Sequence, residues 1–351
     1  MNKACKKYYI QIADEGEYAH AGTKARKDCA QIMREAGYAA IAFRAPVTSG
    51  DGLRSKLRVL MICLLDWIRL CFSVAQGSVV VMQYPHYPVK SARLMTFVLP
   101  VIRGLRGCRF IALIHDLNAM RSISGEAARY ADTVMLKRCD AWIAHNERMK
   151  AHMVSLGFEV RRIQALGIFD YLTGAPVRER AYERPLSVVI AGNFDPLKCR
   201  YLYELLPRPK EYVLHLYGPN YDSTASHPNV VYHGVVPAEE LPGQIRGSFG
   251  LVWDGDSVET CGGEYGNYLR YNNPHKASLY LASGLPVLVW KQAAIAPALL
   301  DDGAAIAIES LSALEEALDA LSADQYQKLA RGALRAGVGL RNGEKLKAVL
   351  P

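Results

Sequence analysis

The run Asn272-Asn273-Pro274-His275-Lys276 sets an amide pair, a proline and two basic side chains where a turn opens into a helix. Asn is a strong helix N-cap and Pro is favoured in the first turn. Asn273 is therefore expected to cap a helix beginning with Pro274, His275 and Lys276 and ending at Gly284, with Pro286 beyond. The unpaired N–H groups of a helix start carry partial positive charge and suit a phosphate, and Lys276 would add a full charge. The same residues also describe a well-capped helix with a surface lysine, and physics alone leaves the two readings level.

Other residues able to do chemistry close apolar runs. Asp254-Gly255-Asp256 offers two carboxylates at a spacing that suits oxygen ligation of Mn²⁺ or Mg²⁺. Glu264 follows in the glycine-rich loop Cys261–Tyr268. Ala191-Gly192-Asn193 allows a backbone to approach a ligand closely, or is an ordinary strand-to-helix turn. Tyr84-Pro85-His86-Tyr87-Pro88 groups aromatics that suit stacking on a sugar, or simply a rigid loop. His115-Asp116 closes the next apolar run. Asn146 reads as a structural N-cap. No Cys pair has CxxC spacing and no GxGxxG is present, so the zinc, thioredoxin and dinucleotide signatures are absent.

These residues need strands that end where they stand. Short β-rich runs at Tyr8–Ala13, Ala39–Phe43, Ser78–Tyr84, Arg109–Asp116 and Ala141–Asn146 alternate with helical stretches such as Lys24–Ala36 and Gly125–Lys137. From Gly167 to Pro185 the chain is rich in Gly, Pro and charge without periodicity, and is expected to be an interdomain connection. The alternation restarts at Leu186–Asn193, Tyr212–Gly218, Val230–Gly234, Phe249–Asp256, Pro286–Trp290 and Ala304–Glu309. Apolar runs alternating with helices indicate parallel sheets covered on both faces. Ligands of such sheets lie beyond the carboxyl ends of the strands.

At 351 residues and 50% hydrophobic the chain has room for two such domains, and 22% charged residues argue against disorder. A net charge of +8 suits nucleic acid, an anionic membrane or a phosphorylated substrate. The basic residues are scattered, however, and form no nucleic-acid tail. Eight cysteines, several in apolar surroundings, fit a reducing compartment. The N-terminal apolar run is short and strand-like, so no signal peptide is expected. Leu57–Val74 is the most membrane-like segment, but Asp66 and Arg69 interrupt it well short of the ~20 apolar residues of a span. It is expected to be a buried or surface-seeking helix.

Phe249–Asp256 followed by Gly263–Trp290 resembles the C-terminal domain of bacterial GT-B glycosyltransferases. More narrowly, it is similar to the O-antigen β-1,6-galactofuranosyltransferases and the related glucosyltransferase-3-type enzymes of adhesin glycosylation. Weaker similarity covers most of the chain, including Ile114–Asp116 and Ala191–Asn193, while the N-terminal half departs more. The resemblance implies an α/β GT-B fold, two doubly wound Rossmann-like domains facing across a cleft. Residues 1–167 would form the acceptor-side domain, 168–185 a linker, 186–335 the donor domain, and 336–351 a tail packing back on the N-terminal domain. It further implies that Tyr271, Asn272, Asn273, Pro274, His275 and Lys276 bind the diphosphate and ribose of a UDP-sugar. Gly192, Asn193 and Lys198 would lie near the diphosphate, and Tyr217 and Gly218 would border the uracil or ribose. Gly22 and Thr23, in the loop His20–Asp28, would reach the donor phosphate from the N-terminal side.

Transfer of a sugar to a hydroxyl needs a base. Asp116 is the first candidate and Glu264 the competing one; Tyr84, His86 and His115 are placed on the acceptor. In a GT-B enzyme Asp254 and Asp256 would line the cleft, so no metal or other cofactor is expected. The reading is a cytoplasmic, metal-independent transferase moving a hexose, with UDP-galactofuranose first among donors, onto a hydroxyl of a cell-surface or lipid-linked glycan. A glucosyl- or galactopyranosyltransferase of the same fold and a non-catalytic UDP-sugar-binding subunit are the alternatives, and nucleic acid is not expected as a partner. The positive charge and the Leu57–Val74 segment suit peripheral association with the anionic inner leaflet, and equally a homo-oligomer interface.

Overall fold

A computed structural model of the chain describes residues 5–12, 21–44, 52–86, 91–120, 125–224 and 227–351. The chain divides into two compact units, Met1–Tyr18 with Cys29–Ala165, and Ala19–Asp28 with Leu166–Pro351.

The first unit is built on six parallel strands: β1 (Lys7–Ile12), β2 (Ala39–Phe43), β3 (Val79–Tyr84), β4 (Arg109–Ile114), β5 (Ala141–Ala144) and β6 (Ile163–Ala165). They lie in the order β2-β1-β3-β4-β5-β6. β3 is buried along its whole length, as a central strand covered on both faces must be. Helices α1 (Ala21–Glu35), α2 (Leu53–Ser73) and α3 (Ala92–Arg106) connect the early strands. The expected helix at Gly125–Lys137 is broken into an α turn over Glu126–Tyr130, a π turn over Ala131–Met135 and a 3-10 turn over Leu136–Arg138. Asn146 caps the helix Glu147–Ser155 as expected, its Oδ1 accepting the Met149 N–H at 2.9 Å. Among the described residues no helix is long and apolar enough to cross a membrane.

The second unit repeats the plan with β7 (Ser187–Ala191), β8 (Val213–Tyr217), β9 (Val230–Tyr232), β10 (Phe249–Val252), β11 (Val287–Trp290) and β12 (Ala305–Ile308). All pairings are parallel and the order is β12-β11-β10-β7-β8-β9. Read from the β9 edge, this is the strand order of dinucleotide-binding folds, which reverses direction between β7 and β10.

The segment expected as a linker has no regular element, but it is built into the second unit. The Tyr171 N–H donates to Leu340 O at 3.0 Å. The Asp170 carboxylate accepts the N–H groups of Lys345 and Leu346 at 3.1 and 2.8 Å, satisfying the start of the helix Glu344–Val349. The buried Arg180 guanidinium donates to Ile245 O and Ser283 O. Asp170 and Arg180 are thus spent on buried backbone groups, while Arg178, Glu179, Glu183 and Arg184 stay exposed. The tail 336–351 likewise groups with the second unit and not with the first.

Candidate active site

In an open parallel sheet the ligand crevice lies where the strand order reverses, here beyond the ends of β7 and β10. β7 ends in Gly192-Asn193 and β10 in Trp253-Asp254-Gly255. The Gly192 N–H donates to Tyr217 O at 3.0 Å. A methyl group at Gly218, where φ is +147°, would stand 1.8 Å from Gly192 O. The two turns are therefore pressed together in a way that only glycine permits. Asn193 Oδ1 accepts from Asp195 N–H and Asn220 Nδ2, so the amide ties these turns to each other. Lys198 is exposed on the same loop. Tyr217, expected to border the nucleotide, is buried instead. Its ring stacks on His233 at 4.3 Å and its hydroxyl accepts the Arg246 N–H, so only the Gly218 backbone faces the turn.

The helix after Asn272-Asn273 spans His275–Ala282 and ends, as expected, at Gly284 in the left-handed conformation. Its start differs from the expectation. Pro274, extended at ψ 133°, is the flanking residue, and no side chain caps the helix. The Asn273 amide is directed elsewhere, donating to Gly167 O. Asn272 carries a buried Oδ1 with no hydrogen-bond partner. Lys276 is held by Trp253 O at 2.9 Å and Asp254 Oδ1 at 3.0 Å. An ammonium has three N–H donors, and these contacts fix two of them. The helix is thereby fastened to the end of β10, while the Tyr280 hydroxyl accepts the Ala191 N–H at 2.9 Å and fastens it to the end of β7.

The start of α1 belongs to this same unit. Gly22 and Thr23 were expected in a loop and lie in the first turn of that helix; His20 falls outside the described residues. Lys24 is buried, with Nζ 2.5 Å from Asp28 Oδ1 and 2.7 Å from Leu172 O, and it sits 5.0 Å over the Tyr171 ring. Tyr171 in turn stacks on His275 at 5.0 Å and 25°. Lys24, one residue after Thr23, and His275 thus share the Tyr171 ring. Lys24, Asp28 and Tyr171 were missed in the sequence, although the i,i+4 spacing of Lys24 and Asp28 is a legible signal.

Burial lifts the Asp28 carboxyl to about 6 against the opposing pull of Lys24. Burial also pushes the His275 imidazole down to about 4, opposed by its contact with Asp170 O and reinforced by Lys24. A depressed histidine contributes stability that is complete above its unfolded value of 6.5 and is lost as pH falls through about 4. His275 is therefore expected to remain neutral at pH 7, and its ring resonances to titrate near 4 in an NMR pH series. A midpoint near the ordinary 6.5 would mean that the ring is solvated and the Tyr171 stack open.

Asp254 and Asp256 face different partners. Asp254 is paired with Lys276, while a methyl at Gly263 would lie 2.0 Å from Asp256 Oδ2. Among the described residues no group of three or more His, Cys, Asp or Glu is placed to hold a metal ion. Glu264 is exposed in the first turn of the helix Gly263–Tyr268, and Tyr271 is half-buried.

In the first unit, Asp116 and His115 are half-buried just beyond β4. His115 Nε2 lies 2.7 Å from Gln83 Oε1. The aromatics expected to stack on an acceptor sugar are turned inward. Tyr84 is fully buried and donates to Asp132, which also accepts the Ala119 N–H at 2.7 Å. His86 is buried edge-on against Phe43. Tyr87 and Pro88 fall outside the described residues.

Solved structures share the two-unit architecture over almost the whole chain. Sucrose-phosphate synthase of Thermosynechococcus elongatus aligns with a TM-score of 0.64 at 12% identity, covering 98% of this chain and 97% of that one. Anabaena HepE, solved in complex with UDP-glucose, aligns at 0.56 and 12%, covering 97% and 96%. The fold is that of the GT-B glycosyltransferases. The β-1,6-galactofuranosyltransferase WbbI of Escherichia coli K12 is 31% identical over 336 residues, 94% of this chain and 93% of that protein. Glucosyltransferase 3 of Streptococcus gordonii is 24% identical over 280 residues, 79% of each. Residues 7–168 and 188–351 match the N-terminal and C-terminal domains of the glucosyltransferase 3-like family. The chain belongs to that family and is a glycosyltransferase, so the resemblance first read from Phe249–Trp290 holds along its length.

Proposed function

We propose that the chain transfers a hexose from a UDP-sugar to a hydroxyl of a glycan acceptor, with galactofuranose as the preferred sugar. The observation that carries the donor reading is the switch-point arrangement of the second unit, where Lys276 meets the end of β10 and Tyr280 of the same helix meets the end of β7. The UDP complex of HepE and the long match to WbbI support the nucleotide and the sugar respectively. All eight cysteines are free thiols, in keeping with work in the cytoplasm.

In this reading Asp116 takes the proton of the acceptor hydroxyl as its oxygen attacks the anomeric carbon. The bond from that carbon to the diphosphate breaks, and UDP leaves as an anion that needs no protonation. The developing charge is met by the remaining N–H of Lys276 and by the N–H groups at the helix start, which makes a metal unnecessary. Glu264 is the competing base.

Donors are compared by incubating the enzyme with UDP-galactofuranose, UDP-galactose and UDP-glucose and analysing product linkage, because the three hexoses are isomers and mass alone does not separate them. Asp116→Asn is expected to lower kcat by about 10²–10⁴-fold with UDP affinity unchanged. The same loss in Glu264→Gln but not in Asp116→Asn would move the base to Glu264. Full transfer by both variants would remove both from the chemistry.

A further inference from the structure

We propose that the outer face of α2 and α3 in the first unit docks on an anionic phospholipid surface. α2 buries Cys63, Trp67, Leu70 and Cys71 on one side. On the other side Leu57, Met61, Leu65, Ile68 and Phe72 recur at spacings of three and four and are all exposed, Phe72 at 80%. α3, which packs beside it, exposes Phe97, Val101 and Leu105 at i, i+4 and i+8, with Phe97 at 71%. Single exposed apolar residues are ordinary on a protein surface; two adjoining stripes of bulky ones mark an interaction face.

The charges around the stripes decide what the face meets. Arg54, Lys56 and Arg58 are exposed in the first turns of α2. The two helices hold a single acid, Asp66, which is buried and paired with Arg44 at 2.8 Å. Farther along, Arg93 and Arg103 meet Glu126 and Asp140 from other elements. An amphipathic face with apolar residues in the middle and cations beside them lies in the headgroup layer, apolar side chains in the acyl boundary and cations against lipid phosphates. A second copy of the chain fits less well. Neither helix offers an exposed acid that a second copy could set against Arg54, Lys56 and Arg58.

The test is co-sedimentation of the full chain with phosphatidylcholine vesicles, with and without about one-third phosphatidylglycerol. It uses neither donor nor acceptor, so it succeeds or fails independently of the proposed activity. Binding is expected only to the anionic vesicles, and is expected to weaken as salt rises from about 0.1 M to about 1 M. Arg54→Glu, Lys56→Glu and Arg58→Glu together are expected to lower partitioning about a hundredfold or more. Phe72→Glu with Phe97→Glu is expected to abolish it, with thermal melting unchanged because both rings are exposed. Should either variant melt early, Arg54→Gln, Lys56→Gln and Arg58→Gln together decide the point in the same assay. No binding to anionic vesicles overturns the proposal, as does binding that all these variants retain. A dimer in sedimentation velocity that Phe72→Glu with Phe97→Glu dissociates, without vesicle binding, would give the face to a second copy instead.

Discussion

Lys276→Ala is expected to weaken UDP binding about tenfold or more, roughly 1.4 kcal/mol, and to lower kcat about 10²–10³-fold, the usual cost of losing one charge-stabilising donor. The larger effect on turnover follows from where charge develops: the diphosphate gains negative charge as the glycosidic bond breaks, so a fixed ammonium is more useful in the transition state than in the ground state. The rival account is that Lys276 only neutralises Asp254, to which it is bonded at 3.0 Å. Asp254→Asn separates the two. In the rival account both substitutions break the same structural pair and act alike. If the ammonium meets phosphate, Asp254→Asn leaves the charge in place and takes away only one of its two anchors, so UDP affinity falls far less than in Lys276→Ala. Lys276→Arg is expected to rescue little, because a planar fork does not fit between Trp253 O and Asp254 as a compact ammonium does. Calorimetric titration of UDP into the three variants without divalent metal makes the comparison. Equal losses in Lys276→Ala and Asp254→Asn would return Lys276 to a structural role.

The parts of the fold that the sequence displayed are those fixed by local apolar runs. β7 and β10 are hydrophobic stretches followed by Gly-Asn and Asp-Gly, and both were expected at their observed starts to within a residue, although β10 stops at Val252 rather than Asp256. β6 went unrecognised because it is three residues, with Gln164 exposed between Ile163 and Ala165, and forms no run. What could not be read were side chains whose partners are remote. Tyr84 suggested an aromatic platform, but its hydroxyl is committed to Asp132, 48 residues away. Lys276 suggested an uncommitted cation, yet Asp254 lies 22 residues before it. Arg180 looked like part of a solvated linker, and its carbonyl partners come from Ile245 and Ser283. The helix cap failed by one residue: the fixed φ of proline fits either the last extended residue or the first helical one, and the Asn273 amide donates to the remote carbonyl of Gly167 instead of capping the helix.

Gly250→Ala is expected to destabilise the second unit by about 3 kcal/mol and to reduce UDP affinity as well, although residue 250 lies within a strand and presents no group to a ligand. Its requirement for glycine is one of space. A methyl there would fall 2.1 Å from Cγ of Tyr280, with two further ring atoms at 2.3 and 2.6 Å. The ring is fully buried, and its hydroxyl is held by the Ala191 N–H, so it has nowhere to swing. Relief requires the helix His275–Ala282 to lift away from β10. That motion draws Lys276 from Trp253 O and Asp254 and separates the helix start from the ends of β7 and β10. Packing and site geometry are thus a single property at this position. Gly303→Ala provides the control: its φ of +62° carries the ordinary strain of about 1–2 kcal/mol, but no atom lies within 4 Å of the added methyl, so UDP affinity should be untouched. In Gly250→Ala combined with Tyr280→Leu the collision is eased while the hydroxyl contact is lost, so the double variant is expected to be less destabilised than the sum of the single ones. Thermal melting and UDP titration of these variants test the coupling. Wild-type melting and affinity in Gly250→Ala would show that the helix does not depend on this contact for its place.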